Sequence, residues 1–259
     1  MKTLYGMIHL APLPGSPSGL LSLDAIEERA LRDAEAFAKA SFTGIVVENY
    51  GDLPFLAGAV GPETVAQMTR IARALRLAQP ALALGVNVLR NDGGAALAVA
   101  EAAGADFIRV NVLSGISHSD QGPLVGRAAE ILRLRRRLDS SLRIFADVDV
   151  KHAVMASHAD ALHQAEDLAE RAGADALIVS GRSTGSEVDR GLLARLRERF
   201  SSFPIIIGSG LGTENASELL SLADGAIVGT SLKVGDRADN PVDPRKVLAL
   251  AEAVRKIEE

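Results

Sequence analysis

The segment RIFADVDVKHA (143–153) puts Asp147, Asp149 and Lys151 at every second position of an apolar, strand-like run. On a strand, alternate side chains share one face. Two carboxylates and an ammonium group in a sealed core would be costly unless paired or wetted. The pattern therefore reads as one wall of a wet cavity. Its carboxylates suit proton transfer, and Lys151 suits a Schiff-base nucleophile, an oxyanion partner or a plain counter-ion for the aspartates. His152 follows directly. Arg109, in FIRVNV (107–112), lies on the preceding strand and is placed to pair with Asp147, so a structural role for that pair stands beside the catalytic one.

Other strand-like runs end in the same polar way. His9 closes the first, in GMIHLAPLPGSP (6–17), and Glu48 shares the inward face with Val46 in VVENYGDLPF (46–55). Glu48 fits a general base, a metal ligand or an anchor for the turn Asn49, Tyr50, Gly51 and Asp52. GVNVLRNDG (85–93) holds Asn87 inside a strand, then Arg90, Asn91 and Asp92, with Asp92 a suitable helix N-cap. Asn111 follows Arg109, and Ser180 and Gly181 end a later run with Thr184 close behind. The expected catalytic set is Asp147, Asp149, Lys151, Glu48 and His9. Asn49, Asn87, Arg109, Asn111 and Ser180 are expected to bind substrate. His9, Glu48, Asp147 and Asp149 are all possible metal donors, but no compact motif such as H-E-x-x-H is present, and neither a metal nor another cofactor is expected. His118 and Asp120, in SGISHSDQG (114–122), sit in a Gly/Ser-rich stretch that reads as a solvated loop or a lid.

A second kind of chemistry is written in glycine. IIIGSGLGTENASELL (205–220) is a strand, a glycine turn and a helix with Thr213 at its expected N-cap, and GAIVGTSLK (225–233) adds another Gly-Thr turn. Backbone N–H groups at Gly208, Ser209, Gly210, Gly229 and Thr230 could close around an anion or simply form tight turns, and Lys233 supplies a charge there or solvates a helix start.

These residues need a scaffold that brings separate strand ends together. Strand-like runs occur at 4–10, 44–49, 83–89, 107–112, 143–149, 176–181, 204–210 and 225–230. Helical spacing fills 22–40, 61–78, 94–103, 123–139, 158–172, 189–199, 214–222 and 243–257. AGADFIRV (103–110) and AGADALIV (172–179) repeat one device, a left-handed glycine cap followed by a strand, with ADGAIV (223–228) as a variant. This alternation predicts a single-domain (β/α)₈ TIM barrel over residues 1–259, whose active sites lie at the C-terminal ends of the strands. A doubly wound sheet is the alternative, but its early G-x-G-x-x-G turn is missing.

Composition narrows the function classes. Apolar residues make up 47% and charged residues 24%, enough for a sizeable core. With 3% aromatic residues, no Trp and a net charge of −5, a nucleic-acid surface is not expected. No cysteine is present, which removes disulfides and thiolate chemistry. No apolar run is long enough to cross a bilayer and no leader pattern opens the chain, so the expectation is a cytoplasmic protein without membrane insertion. A homo-oligomer stays open, because barrels associate through their outer helices.

GMIHLAPLPGSP, VVENYGDLPF, GVNVLRND, FIRVNV, ADVDVKHA, ALIVSGRSTG and ADGAIVGTSLKVGD together resemble the BtpA/SgcQ family, in order, over residues 1–240. That family is similar to the ribulose-phosphate-binding barrels, so the resemblance implies both the fold and an anion site. Its name comes from a role in the biogenesis or stability of photosystem I in cyanobacteria, and members also occur in non-photosynthetic bacteria and archaea. The resemblance supplies no catalytic assignments. The expected function is an enzyme acting on a small phosphorylated ligand, a sugar phosphate or nucleoside-derived compound, by isomerisation, epimerisation, aldol cleavage or glycosidic hydrolysis. A non-catalytic assembly factor and a metabolite sensor are the alternatives.

Overall fold

The computed structural model describes residues 2–148, 153–155, 160–181 and 188–258. In chain order the first elements are β1 (Thr3–His9), α1 (Leu23–Lys39), β2 (Gly44–Glu48), α2 (Pro62–Ala78), β3 (Ala83–Asn87), α3 (Gly93–Ala103) and β4 (Phe107–Val110). A hairpin follows, β5 (Ile116–Ser119) and β6 (Gly122–Val125), then α4 (Ala128–Arg137), β7 (Arg143–Val148), β8 (Ala153–Met155) and α5 (Ala161–Glu170). The chain ends with β9 (Ala176–Val179), α6 (Arg190–Arg199), β10 (Ile205–Ile207), α7 (Ala216–Leu222), β11 (Gly225–Val228) and α8 (Pro244–Glu258). Parallel strands close the barrel in the order β1-β11-β10-β9-β7-β4-β3-β2, as the alternation predicted, and β5 pairs with β6 and β8 in a separate three-stranded sheet.

Strand parity sorts the barrel. One set of alternate residues (Tyr5, Met7, Val46, Phe107, Phe145, Ile178, Ile206 and Ile227) fills the interior, while the other faces the helices. Phe107 and Phe145 stack at 4.3 Å between centroids, and Tyr5 meets Phe107 edge-on at 5.2 Å. Gly85 makes this stack fit, since a Cβ there would run into the Phe107 ring. The interior is thus plugged, and only its ends are available to a ligand.

The repeated Gly-Ala-Asp device has a mechanical meaning at the floor. Asp106, Asp175 and Asp224 each accept the backbone N–H of the neighbouring strand, from Leu84, Ile144 and Ile205 at 2.7–2.8 Å. Each also pairs with an arginine near the end of a helix: Arg76, Arg135 and Arg197 respectively. Gly104 is the left-handed cap of α3, and Asp92 caps its start by accepting from Ala95 N.

Two expected boundaries shift. The helix expected over 123–139 begins at Ala128, because Gly122–Val125 pair with Ile116–Ser119 instead, so the expected loop at 114–122 is mostly hairpin. Thr213 does not cap α7: Asn215 holds the turn, accepting from Gly212 N and donating to Gly210 O, both at 2.9 Å. No helix among the described residues is long and apolar enough to cross a membrane.

Candidate functional site

The interior parity carries straight into the barrel mouth. Continuing from Met7, Val46, Phe107, Phe145, Ile178, Ile206 and Ile227, the next inward positions are His9, Glu48, Arg109, Asp147, Ser180, Gly208 and Gly229. The side chains turn from apolar to polar where the plug ends. A cavity of about 850 Å³ opens above it, floored by Met7 and Ile227. His9, Glu48, Arg109, Asn111, Asp147, Gly208, Ser209, Gly210, Gly229 and Thr230 all border this one space.

Asp147 is the hub of its wall. It accepts two bonds from Arg109 (Nε 2.9 Å, Nη2 2.8 Å), one from Asn111 Nδ2 at 3.0 Å and one from Ser180 Oγ at 3.3 Å. Burial works against the Arg109 charge, but Asp147 and then Glu48 more than offset it and hold the guanidinium above its usual range. Asn87 extends the network, donating to Asn111 Oδ1 at 3.2 Å and to the Arg109 carbonyl at 2.9 Å. With both oxygens engaged by donors, Asp147 has the geometry of the structural ion pair that was expected beside its catalytic reading. Ser180 and Asn87 serve that pair and do not border the cavity.

His9 and Glu48 form the other charged wall. His9 Nδ1 lies 3.1 Å from the Ala238 carbonyl, which can only accept, so Nδ1 carries the hydrogen. Nε2 is then the exchangeable position, and it faces Glu48 Oε1 at 3.8 Å. The pair is well shielded, with side chains 7% and 9% exposed. Tyr50 packs on the imidazole with ring centroids 4.5 Å apart. Asn49 is buried: it accepts from Leu89 N at 2.7 Å and donates to Asp52 at 3.0 Å, fastening the loop after β2. Burial raises the Asp52 carboxyl, against the lowering effects of the Leu13 N–H, Asn49 and Ser16.

The glycine side is lined by Gly208, Gly210, Gly212 and Gly229, together with side chains such as Glu214, Asn215 and Thr230. Gly208 cannot carry one, since its Cβ would meet Ser180 Oγ and lie 2.5 Å from Ile178 Cγ2. Its N–H is donated to Val179 O at 2.7 Å, so it shapes the cradle and does not donate to an anion. Ser209 Oγ accepts from Gly181 N at 3.0 Å, and Gly210 adopts φ +73°. Ser231 Oγ ties the two turns together through Leu211 O at 2.9 Å. Thr230 and Ser231 open a short 3₁₀ turn whose leading amides have no acceptor within the turn. Lys233 is absent from this site: it is fully buried against Asp33, 3.0 Å away, on the far side of the loop.

Asp149, Lys151, His152 and Thr184 lie outside the described residues. Among the described residues no cluster of three or more His, Asp or Glu is placed to hold a metal ion. Arg90, missing from the expected binding set, enters the cavity wall from the end of β3, as do Tyr50, Leu53 and Phe55 from the loop after β2 and Asp120 and Gln121 from the hairpin tip. Burial pulls the Arg90 guanidinium below the usual arginine range, opposed by Glu48 and Asp147. These residues sit in loops, where no period marks inward from outward; only the Arg-Asn-Asp cluster after β3 signals Arg90.

A model of the BtpA family matches residues 1–256. An uncharacterised protein of Thermococcus kodakarensis is 48% identical, over 98% of this chain and 97% of its own length. A Synechocystis protein named photosystem I biogenesis protein BtpA is 42% identical, over 97% and 87% respectively. Among solved structures, phosphoribosyl anthranilate isomerase from Thermus thermophilus superposes with a TM-score of 0.61 at 13% identity, covering 98% of this chain and 99% of that one. (S)-3-O-geranylgeranylglyceryl phosphate synthase from Thermoplasma acidophilum, in complex with sn-glycerol-1-phosphate, has a TM-score of 0.61 at 16% identity, covering 98% and 94%.

Proposed function

The chain belongs to the BtpA family of barrels, and we propose that it is an enzyme of small phosphorylated metabolites, seating phosphate on the glycine side of its mouth and moving protons with His9 and Glu48. One observation carries this reading. The inward positions that end β10 and β11 are the glycines Gly208 and Gly229, while those ending β1 and β2 are His9 and Glu48, and all four border one cavity. Space for a ligand therefore lies directly beside an acid–base pair. Glycine turns present backbone amides to anions without a side chain in the way. The loops after the last two strands are a recurrent phosphate site in (β/α)₈ barrels. Both solved neighbours carry names of phosphorylated compounds, which agrees with this placement.

With Nδ1–H held by Ala238, a neutral His9 takes a proton at Nε2 and its protonated form returns one there. Glu48 is the complementary group, and Arg90 supplies positive charge for an anion that develops between them. Such a pair suits isomerisation or epimerisation beside a carbonyl. Arg109 adds positive potential while its hydrogen bonds stay with Asp147.

Thermal-shift titration against inorganic phosphate and a panel of sugar phosphates tests binding, and at least one phosphorylated compound is expected to raise Tm. Deuterium exchange from solvent into that compound tests catalysis, with exchange lost in His9→Asn and Glu48→Gln. If nothing phosphorylated stabilises the protein, the reading fails. Binding with neither exchange nor turnover would leave a sensor.

A further inference from the structure

The cavity extends well past the glycine cradle and His9, and its extension has a different chemistry. The loop after β2 brings Tyr50, Leu53 and Phe55 to the rim, backed by Leu89. In a chain with only 3% aromatic residues, this loop supplies the aromatic rings that border the cavity. Leu53 is 46% exposed although it overhangs a polar mouth. The loop is also fixed in place: Gly51 N donates to Leu10 O at 3.0 Å, Asp52 accepts from Leu13 N at 2.8 Å, and Asn49 fastens it to Leu89. A preformed apolar shelf is thus held open to water.

His9 lies between this shelf and the cradle. A Cβ at Gly229 would sit 3.1 Å from His9 Cε1, and the Tyr50 ring packs on the imidazole at 4.5 Å. A bare sugar phosphate spanning cradle and His9 would leave the shelf wet. We infer that the substrate is a phosphorylated glycoside with a flat, aromatic heterocyclic aglycone, its phosphate on the glycine turns and its aglycone stacked on Tyr50, Leu53 and Phe55. This assignment rests on the phosphate reading above and narrows it, because the acid–base pair then lies at the junction between sugar and aglycone. Flat rings stack on aromatic side chains with little dependence on their substituents.

Calorimetric titration of the full chain with inorganic phosphate, ribose 5-phosphate, and purine and pyrimidine nucleoside 5′-monophosphates tests it. At least one nucleotide is expected to bind about tenfold or more tightly than ribose 5-phosphate, the gain typical of one stacked ring. Tyr50→Ala and Leu53→Ser should remove that advantage, Leu53→Ser while changing ribose 5-phosphate affinity by no more than about twofold, and Tyr50→Phe should keep it. Leu53, being exposed, carries the test if Tyr50→Ala fails to fold. If ribose 5-phosphate binds as tightly as every nucleotide, or both variants weaken sugar phosphate and nucleotide alike, the shelf assignment is overturned and the phosphate site stands. Failure of all these probes to bind overturns both.

Discussion

Asp147 can be tested as a clamp against Asp147 as a proton carrier, because the two roles predict opposite stability effects. The Arg109 and Asp147 side chains are 4% and 2% exposed and share two charge-assisted hydrogen bonds. Asn111 and Ser180 complete the carboxylate's shell. Replacing Arg109 by Met strips the counter-ion and leaves a buried carboxylate with two neutral donors, a change that costs about 3–5 kcal/mol. In a chain of this size that lowers Tm by about 10 °C. Asp147→Asn keeps the shape but turns an NH₂ group toward the donors of Arg109 and Asn111, and a loss of about 3 kcal/mol is expected. The double variant Arg109→Met/Asp147→Asn removes both charges, so its cost should fall well below the sum of the singles. Urea unfolding of the four proteins measures the cycle. A stable Asp147→Asn protein, within about 0.5 kcal/mol of wild type, that has lost turnover would refute the clamp and return Asp147 to the catalytic group.

Four other outcomes follow from the same geometry. Gly208→Ala forces a Cβ to 2.5 Å from Ile178 and should cost about 1–3 kcal/mol in denaturant titration. Gly229→Ala, whose nearest contact is 3.1 Å at a φ of −125°, should cost less than about 1 kcal/mol yet weaken phosphate-dependent thermal stabilisation, because the methyl enters the ligand's space. Asp175→Ala breaks a floor clasp, unpairing Ile144 N and releasing Arg135, and a loss of about 1–3 kcal/mol by urea unfolding is expected. Burial holds the Lys233 ammonium below the ordinary lysine value of 10.5 despite Asp33, so between the folded and unfolded values the unfolded chain binds more protons. The contribution of Lys233 to stability therefore rises as pH climbs through the folded value toward 10.5, and the pH–stability curve of Lys233→Met should lack that rise.

Alternation was legible in the sequence because a buried parallel strand and an amphipathic helix leave different periods, and Gly104 marks a boundary chemically. The inward set was legible for the same reason: a period of two carried from Met7 to His9 or from Phe145 to Asp147 needs no coordinates. Where a polar group spends its hydrogen bonds was not legible. Asn49 and Ser180 have residue types that fit ligand binding, and only distances show one fastening a loop and the other a carboxylate. Lys233 misled for a related reason. It follows the Gly-Thr turn directly, but its side chain points to Asp33 on α1, 200 residues away in sequence. Pairing at that separation leaves no local pattern.

The two ends of the barrel treat charge in different ways, and this contrast supports the proposed site at the mouth more firmly than any single residue does. At the floor, each aspartate of the repeated device meets both an arginine and a strand amide, so charge there closes the structure. At the mouth, Asp147 and Arg109 follow that same closing rule, but His9 and Glu48 stand 3.8 Å apart across the edge of an open cavity. The backbone carbonyl that fixes His9 acts on Nδ1, and so turns Nε2 toward Glu48 at the cavity wall. Both residues border the cavity beside Gly208 and Gly229, so a small anion on the proposed glycine cradle would lie next to them.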